Sequence, residues 1–195
     1  MEDENNNSPT SYTNSQSLAL RLQKNIASKM STKSVAKIFI DEPTGRILDN
    51  LYKLVREYTK NKKQAETILN NIIKVIIKIG LLYKNDSLTD DELKLCDTFR
   101  QKFHSFIKAA LSFYEIDFSF DSKYLHDLLV DCQNLIQTIV QGHLTDKSKG
   151  RIKTVFDFFS DEAFLSFIFK GTPSSKIIMK SIVDDTRQLV EEGSL

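Results

Sequence analysis

The sequence predicts an all-helical fold, and three observations carry that expectation. The 195 residues contain only three prolines and six glycines, too few for the many turns of a β protein. Apolar residues recur at i, i+3 and i+4 through most of the chain. Residues able to cap a helix stand at the head of several of those runs. A chain of this length fits one domain and buries roughly 70% of its unfolded surface, so it needs no metal or disulfide staple. Hydrophobic residues make up 41% and charged residues 27%, an ordinary globular balance. The net charge of +1 sets up no global field for nucleic acid, which is not expected as a partner. Cys96 and Cys132, without a CxxC or a secretory signal, read as reduced thiols of a cytoplasmic protein. No run of eighteen uncharged apolar residues exists, so no membrane span is expected.

Residues 1–16 are polar and bury too little to repay ordering, which predicts a disordered tail ahead of a domain at 17–195. Ser17 caps a first helix whose Leu18, Leu22, Ile26 and Met30 form one narrow stripe. No acidic residue stands between Asn5 and Ile40, whereas Arg21, Lys24, Lys29, Lys33 and Lys37 are basic. This amphipathic pattern suits an anionic membrane surface or a partner groove, and equally a solvated face. Asp41-Glu42-Pro43 reads as a stop, followed by a helix near 44–60.

ILNNIIKVIIKIGLLYKN, 68–85, is the most informative stretch. Projected at about 100° per residue, its polar strip through Lys74 and Lys78 is about 100° wide and its apolar arc about 240°. A surface helix shows the reverse proportion, so this helix is central, with neighbours on both flanks. The two lysines read as a solvated strip reached by long stems. The arc fits a solid core and a cavity wall alike; periodicity does not separate them.

Thr89-x-x-Glu92 is a capping box opening a helix of about seven turns, whose face includes Cys96, Phe99, Phe103 and Phe106. EIDFSFD, 115–121, alternates and reads as an extended connector. Further helices are expected near 122–142, capped by Asp121; 147–159; 161–169, capped by Ser160; and from Thr172-Pro173 to Gly193. Twelve of the thirteen phenylalanines lie between residues 99 and 169.

Catalytic signatures are missing. His104, His126 and His143 show no metal-ligand spacing and read as surface or satisfied structural residues. GTPSSK, 171–176, lacks the Gly-Lys of a phosphate loop, and no nucleophile elbow or dinucleotide fingerprint occurs. The chain is therefore not expected to be an enzyme. A basic cluster at Lys147, Lys149, Arg151 and Lys153 stands without any recognition fold for nucleic acid.

SLALRLQK, KSVAKIFIDE, LDNLYKLVREYT, IIKVIIKIGLLYKN, FRQKF, ALSFYEIDFSF and HLTDKSKGRI with VFDFFSD resemble the tumour-necrosis-factor-alpha-induced protein eight family, also called the TIPE family. The resemblance covers about 17–195, in order, with residues 170–180 matching poorly. It implies an antiparallel six-helix bundle plus an N-terminal amphipathic helix, enclosing an apolar cavity. It also implies a non-enzymatic, membrane-associating regulator of apoptosis, immune signalling or cell migration. Its ligand would be a phospholipid or phosphoinositide, held with no other cofactor and no metal. Lys84 and Arg100 would hold the headgroup, with Lys24 assisting. Lys29 and Lys33 are added on charge. Ile72, Ile76, Ile79, Phe103 and Phe106 would line the cavity. Two departures bear on affinity: lysine at 84 replaces an arginine fork with a point charge, and Asn25 replaces a second lysine. The alternative is a protein-interaction adaptor with a solid interior.

Overall fold

The computed structural model describes residues 17–28, 41–116 and 120–193, all α-helix and connectors. The predicted tail at 1–16, Met30, the segment from Lys33 to Ile40 and the middle of EIDFSFD lie outside the described residues. Among the described residues eight helices run in chain order: α1 Leu18–Ser28, α2 Glu42–Thr59, α3 Lys62–Lys84, α4 Asp90–Glu115, α5 Ser122–Ile139, α6 Asp146–Phe159, α7 Glu162–Lys170 and α8 Pro173–Glu191.

The starts of these helices follow from local chemistry. Thr89 Oγ1 accepts from the Glu92 N–H while Glu92 Oε2 accepts from the Thr89 N–H at 2.8 Å, the predicted capping box. Asp121 caps α5 and Thr172 caps α8, as expected. Ser17 Oγ accepts from Leu20 N–H, and Asp49 on α2 takes the next free donors, Leu18 N–H at 3.1 Å and Ala19 N–H at 2.7 Å. An α2 carboxylate thus ties α1 to the bundle by satisfying amides that a helix start leaves unpaired.

Two boundaries differ from expectation. Asp41-Glu42-Pro43 is a helix start rather than a stop: Asp41 Oδ1 accepts from Thr44 N–H at 2.8 Å, and Pro43 sits in the first turn. Proline lacks only an N–H that the first turn leaves unused, so it fits there. The cap of α7 is Asp161, which accepts from Phe164 N–H at 2.8 Å; Ser160 ends α6. With that break, seven helices follow α1 among the described residues, where the resemblance implied six.

Helix α3 is central as projected, packing on α1 and α2 along one flank and on α6 along the other. Helix α2 also packs on α8, where Arg46 meets Asp185 at 2.8 Å. Helix α4 packs mainly on α5, with Lys102 bonded to Asp131 at 2.7 Å. Arg187 of α8 pairs with Glu115 at the end of α4. The main core gathers Leu54, Ile68, Leu125, Phe164, Ile182 and Val183. Phe164 is fully buried among the rings of Tyr58, Phe158 and Phe159.

Candidate functional site

The apolar arc of α3 is buried unevenly. Along one flank Leu69, Ile73 and Ile77 are buried in a cluster with Ala19 and Leu48. On the other, Ile68 is buried, and Val75, Ile79 and Leu82 pack on Ile136, Ile139 and Ile152 of α5 and α6. By projection Ile72 and Ile76 fall in the middle of the arc, where a solid core would bury them most deeply. They are only half-buried, and Tyr83, in line with them, is 67% exposed.

Helix α4 is stranger. None of its 26 residues is buried, although its apolar face runs its whole length. Phe99, Phe103 and Phe106 stack in a ladder, with ring centroids 5.8 and 5.9 Å apart. Phe99 and Phe106 each pack on a buried cluster; Phe103 belongs to none. His104 Nε2 is shielded from solvent without a hydrogen-bond partner, so His104 is not the satisfied residue the sequence suggested. His126 and His143 are satisfied, by the Ser160 carbonyl at 2.7 Å and Glu92 Oε1 at 2.9 Å.

Of the proposed headgroup residues, Lys24, Lys84 and Arg100 are exposed, and none forms an ion pair among the described residues. Lys84 is in the last turn of α3, where a cation also suits the negative helix end. Among the described residues no hydrogen bond or ion pair joins Lys84 to Arg100 or Lys24. Lys29 and Lys33 lie outside the described residues. Ile72, Ile76, Ile79, Phe103 and Phe106 are all half-buried, and none lines either of two clefts of about 450 and 420 Å³.

Lys78 departs from expectation. It is half-buried and donates from Nζ to Oγ of the buried Ser148 on α6 at 2.5 Å. Burial, and then the nearby Arg151 charge, push its pKa below the ordinary lysine value. The predicted basic cluster is broken up: Lys149 pairs with Asp146 at 2.9 Å and Lys153 with Asp157 at 2.7 Å. Thr172 and Ser174 of GTPSSK donate to the Glu57 carboxylate at 2.8 and 3.1 Å, which places a negative charge where a phosphate loop would need a positive one. Gly171 is required by close approach, since a Cβ there would lie 2.0 Å from the Phe167 carbonyl oxygen.

Residues 13–193 match the family model described as tumor necrosis factor alpha-induced protein 8-like. The chain belongs to this family. It is 40% identical to tumor necrosis factor alpha-induced protein 8 of Gallus gallus, over 95% of this chain and 99% of that one. It is 39% identical to the Homo sapiens protein of the same name, over 95% and 94%. It is also 44% identical to the protein salivary glands marred of Drosophila melanogaster, over 93% and 96%. Membership accounts for the sequence blocks quoted above, which run across almost the whole matched length. Among the described residues no helix of this family member is long and apolar enough to cross a membrane. No group of three His, Cys, Asp or Glu among them could hold a metal ion.

Proposed function

We propose that this protein binds phospholipid, phosphoinositide above all, and carries or presents it as a regulator of apoptosis, immune signalling or cell migration. The acyl tails shelter against Ile72, Ile76 and Ile79 of α3 and Phe103 and Phe106 of α4. Lys84 and Arg100 hold the phosphorylated headgroup by charge-assisted hydrogen bonds, with Lys24 assisting and Lys29 and Lys33 adding charge, while the basic first helix docks on the anionic bilayer. The observation that carries this reading is the incomplete burial at the middle of the α3 arc, where Ile72 and Ile76 are only half-buried beside the buried Leu69, Ile73 and Ile77. The half-buried phenylalanine ladder of α4 supports it: apolar surface left partly uncovered inside a helical domain is surface available to an apolar ligand. Association is cytoplasmic and reversible in this reading. The test is flotation of the protein with phosphatidylcholine vesicles, with and without phosphoinositide. Selective flotation that falls in Lys84→Glu with Arg100→Glu is expected; flotation without lipid preference, or unchanged in that variant, refutes the assignment.

A second reading, a protein-interaction adaptor in apoptotic signalling, draws on Ile177 of α8, which is 71% exposed. It predicts that Ile177→Asp abolishes partner capture while phosphoinositide has no effect.

A further inference from the structure

The first helix, α3 and α6 enclose a cleft of about 450 Å³, inside the range of about 300–1,000 Å³ usual for small-ligand sites. Its charged lining is Lys74 and Lys78 from α3 and Arg151 from α6, and no carboxylate lines it. Leu22 and Ile26 of α1 form an apolar wall. Asn70 also lines it, with its amide nitrogen bonded to the Glu66 carbonyl oxygen at 2.8 Å.

Three cations in one cleft repel each other unless something neutralises them. Neither Lys74 nor Arg151 forms an ion pair or hydrogen bond with any described residue, although Lys149 and Lys153 on either side of Arg151 are both paired. Lys78 finds only a neutral hydroxyl, Ser148 Oγ, itself 3.1 Å from Thr145 Oγ1. That bond fixes the ammonium against the first turn of α6, leaving further N–H donors for another acceptor. The charge of Lys78 is thus held in a partly desolvated position without a carboxylate to offset it.

We propose that this cleft is an anion site for a small, multiply phosphorylated ligand, bound by Lys74, Lys78 and Arg151 and separate from Lys84 and Arg100. Three positive charges match a ligand carrying two or more negative ones. The planar Arg151 fork takes two oxygens of one phosphate, while the lysines act as point charges on it or on its neighbour. Leu22 and Ile26 offer a surface for the carbon face of a ring. Among the described residues the cleft has no aromatic lining on which a nucleobase would stack. The source is either a soluble phosphate ester or the headgroup of a membrane lipid, since both present the same chemistry.

The test is titration of the full chain with inorganic pyrophosphate and with inositol trisphosphate, followed by NMR. Saturable binding is expected at low salt. Lys74→Gln with Arg151→Gln, both on half-exposed side chains, should weaken it by at least about tenfold, the worth of one charge-assisted hydrogen bond. Lys123→Gln, at an exposed lysine paired with Asp127 at 3.0 Å, should leave it unchanged. The lipid assignment is read on Lys84 and Arg100 and this one on Lys74 and Arg151, so either can fail while the other stands. Absence of saturable binding to both anions, or equal binding by the Lys74/Arg151 variant, overturns it. Vesicles of phosphatidylcholine with phosphatidylinositol bisphosphate separate the sources. Vesicle binding lost with Lys74→Gln and Arg151→Gln marks a headgroup; vesicle binding retained while pyrophosphate binding is lost marks a soluble ligand.

Discussion

Lys78 and Ser148, seventy positions apart, meet at 2.5 Å between Nζ and Oγ, and this bond joins the central helix α3 to the start of α6. The serine is 2% exposed and the lysine half-buried. Removing the hydroxyl leaves a partly desolvated ammonium without its acceptor. Ser148→Ala should therefore cost about 1–3 kcal/mol in chemical denaturation. Lys78→Met, which removes the charge as well, should cost less. The reverse order would show that Ser148 is not what holds the lysine.

The ring cluster around Phe164 predicts the largest single loss. Phe164 is fully buried against Tyr58, Phe158 and Phe159, so Phe164→Ala should cost about 3–5 kcal/mol. Phe103→Ala should cost far less, because Phe103 stacks only between Phe99 and Phe106 and joins no buried cluster. Equal losses in thermal melts would mean that the α4 face is solid core.

The α4 start makes stability sensitive to acid. The Thr89 backbone N–H, and then His143, hold the Glu92 carboxyl below its ordinary value of 4.5. A depressed carboxyl contributes stability above its unfolded pKa and loses it as pH falls through the folded one. The stability difference between the wild type and Glu92→Gln should be full at neutral pH and shrink on acidification below 4.5. A difference independent of pH would remove the carboxylate from the account.

These results separate what the sequence makes legible from what it does not. The capping box at Thr89, the Asp121 cap and the Thr172-Pro173 start each close within four residues, so local chemistry decides them. The two-sided packing of α3 was readable because a 240° apolar arc, about two-thirds of a turn, has no other use in water. Lys78 was misread as solvated because Ser148 is remote in sequence and nothing near Lys78 announces it. Asp41-Glu42-Pro43 reads as a stop from the sequence because proline cannot continue a helix, yet the same ring fits the first turn of α2. The incomplete burial of α4 has no sequence signal, since a half-covered phenylalanine face is written with the same residues as a buried one.

Both cysteines are free, and their reactivity should differ. Burial, and then the Asp131 charge, push the Cys132 thiol up to about 11, so almost none of it is thiolate at neutral pH. Cys132 should stay unlabelled by a thiol reagent until the protein unfolds, while the half-buried Cys96 labels first. Fast labelling of Cys132 in the native protein would mean that α5 opens readily.

The lipid assignment stands or falls on whether Ile72 and Ile76 of α3 and Phe103 of α4 take acyl chains. The most direct measurement is native mass spectrometry of the full chain after incubation with phosphoinositide vesicles, with the bound lipid identified after extraction. A phospholipid held in stoichiometric amount, and lost when Ile76→Asp and Phe103→Asp are introduced into a still-helical protein, is the predicted result. A chain that remains lipid-free under those conditions, or one that holds lipid equally in the substituted protein, would contradict it.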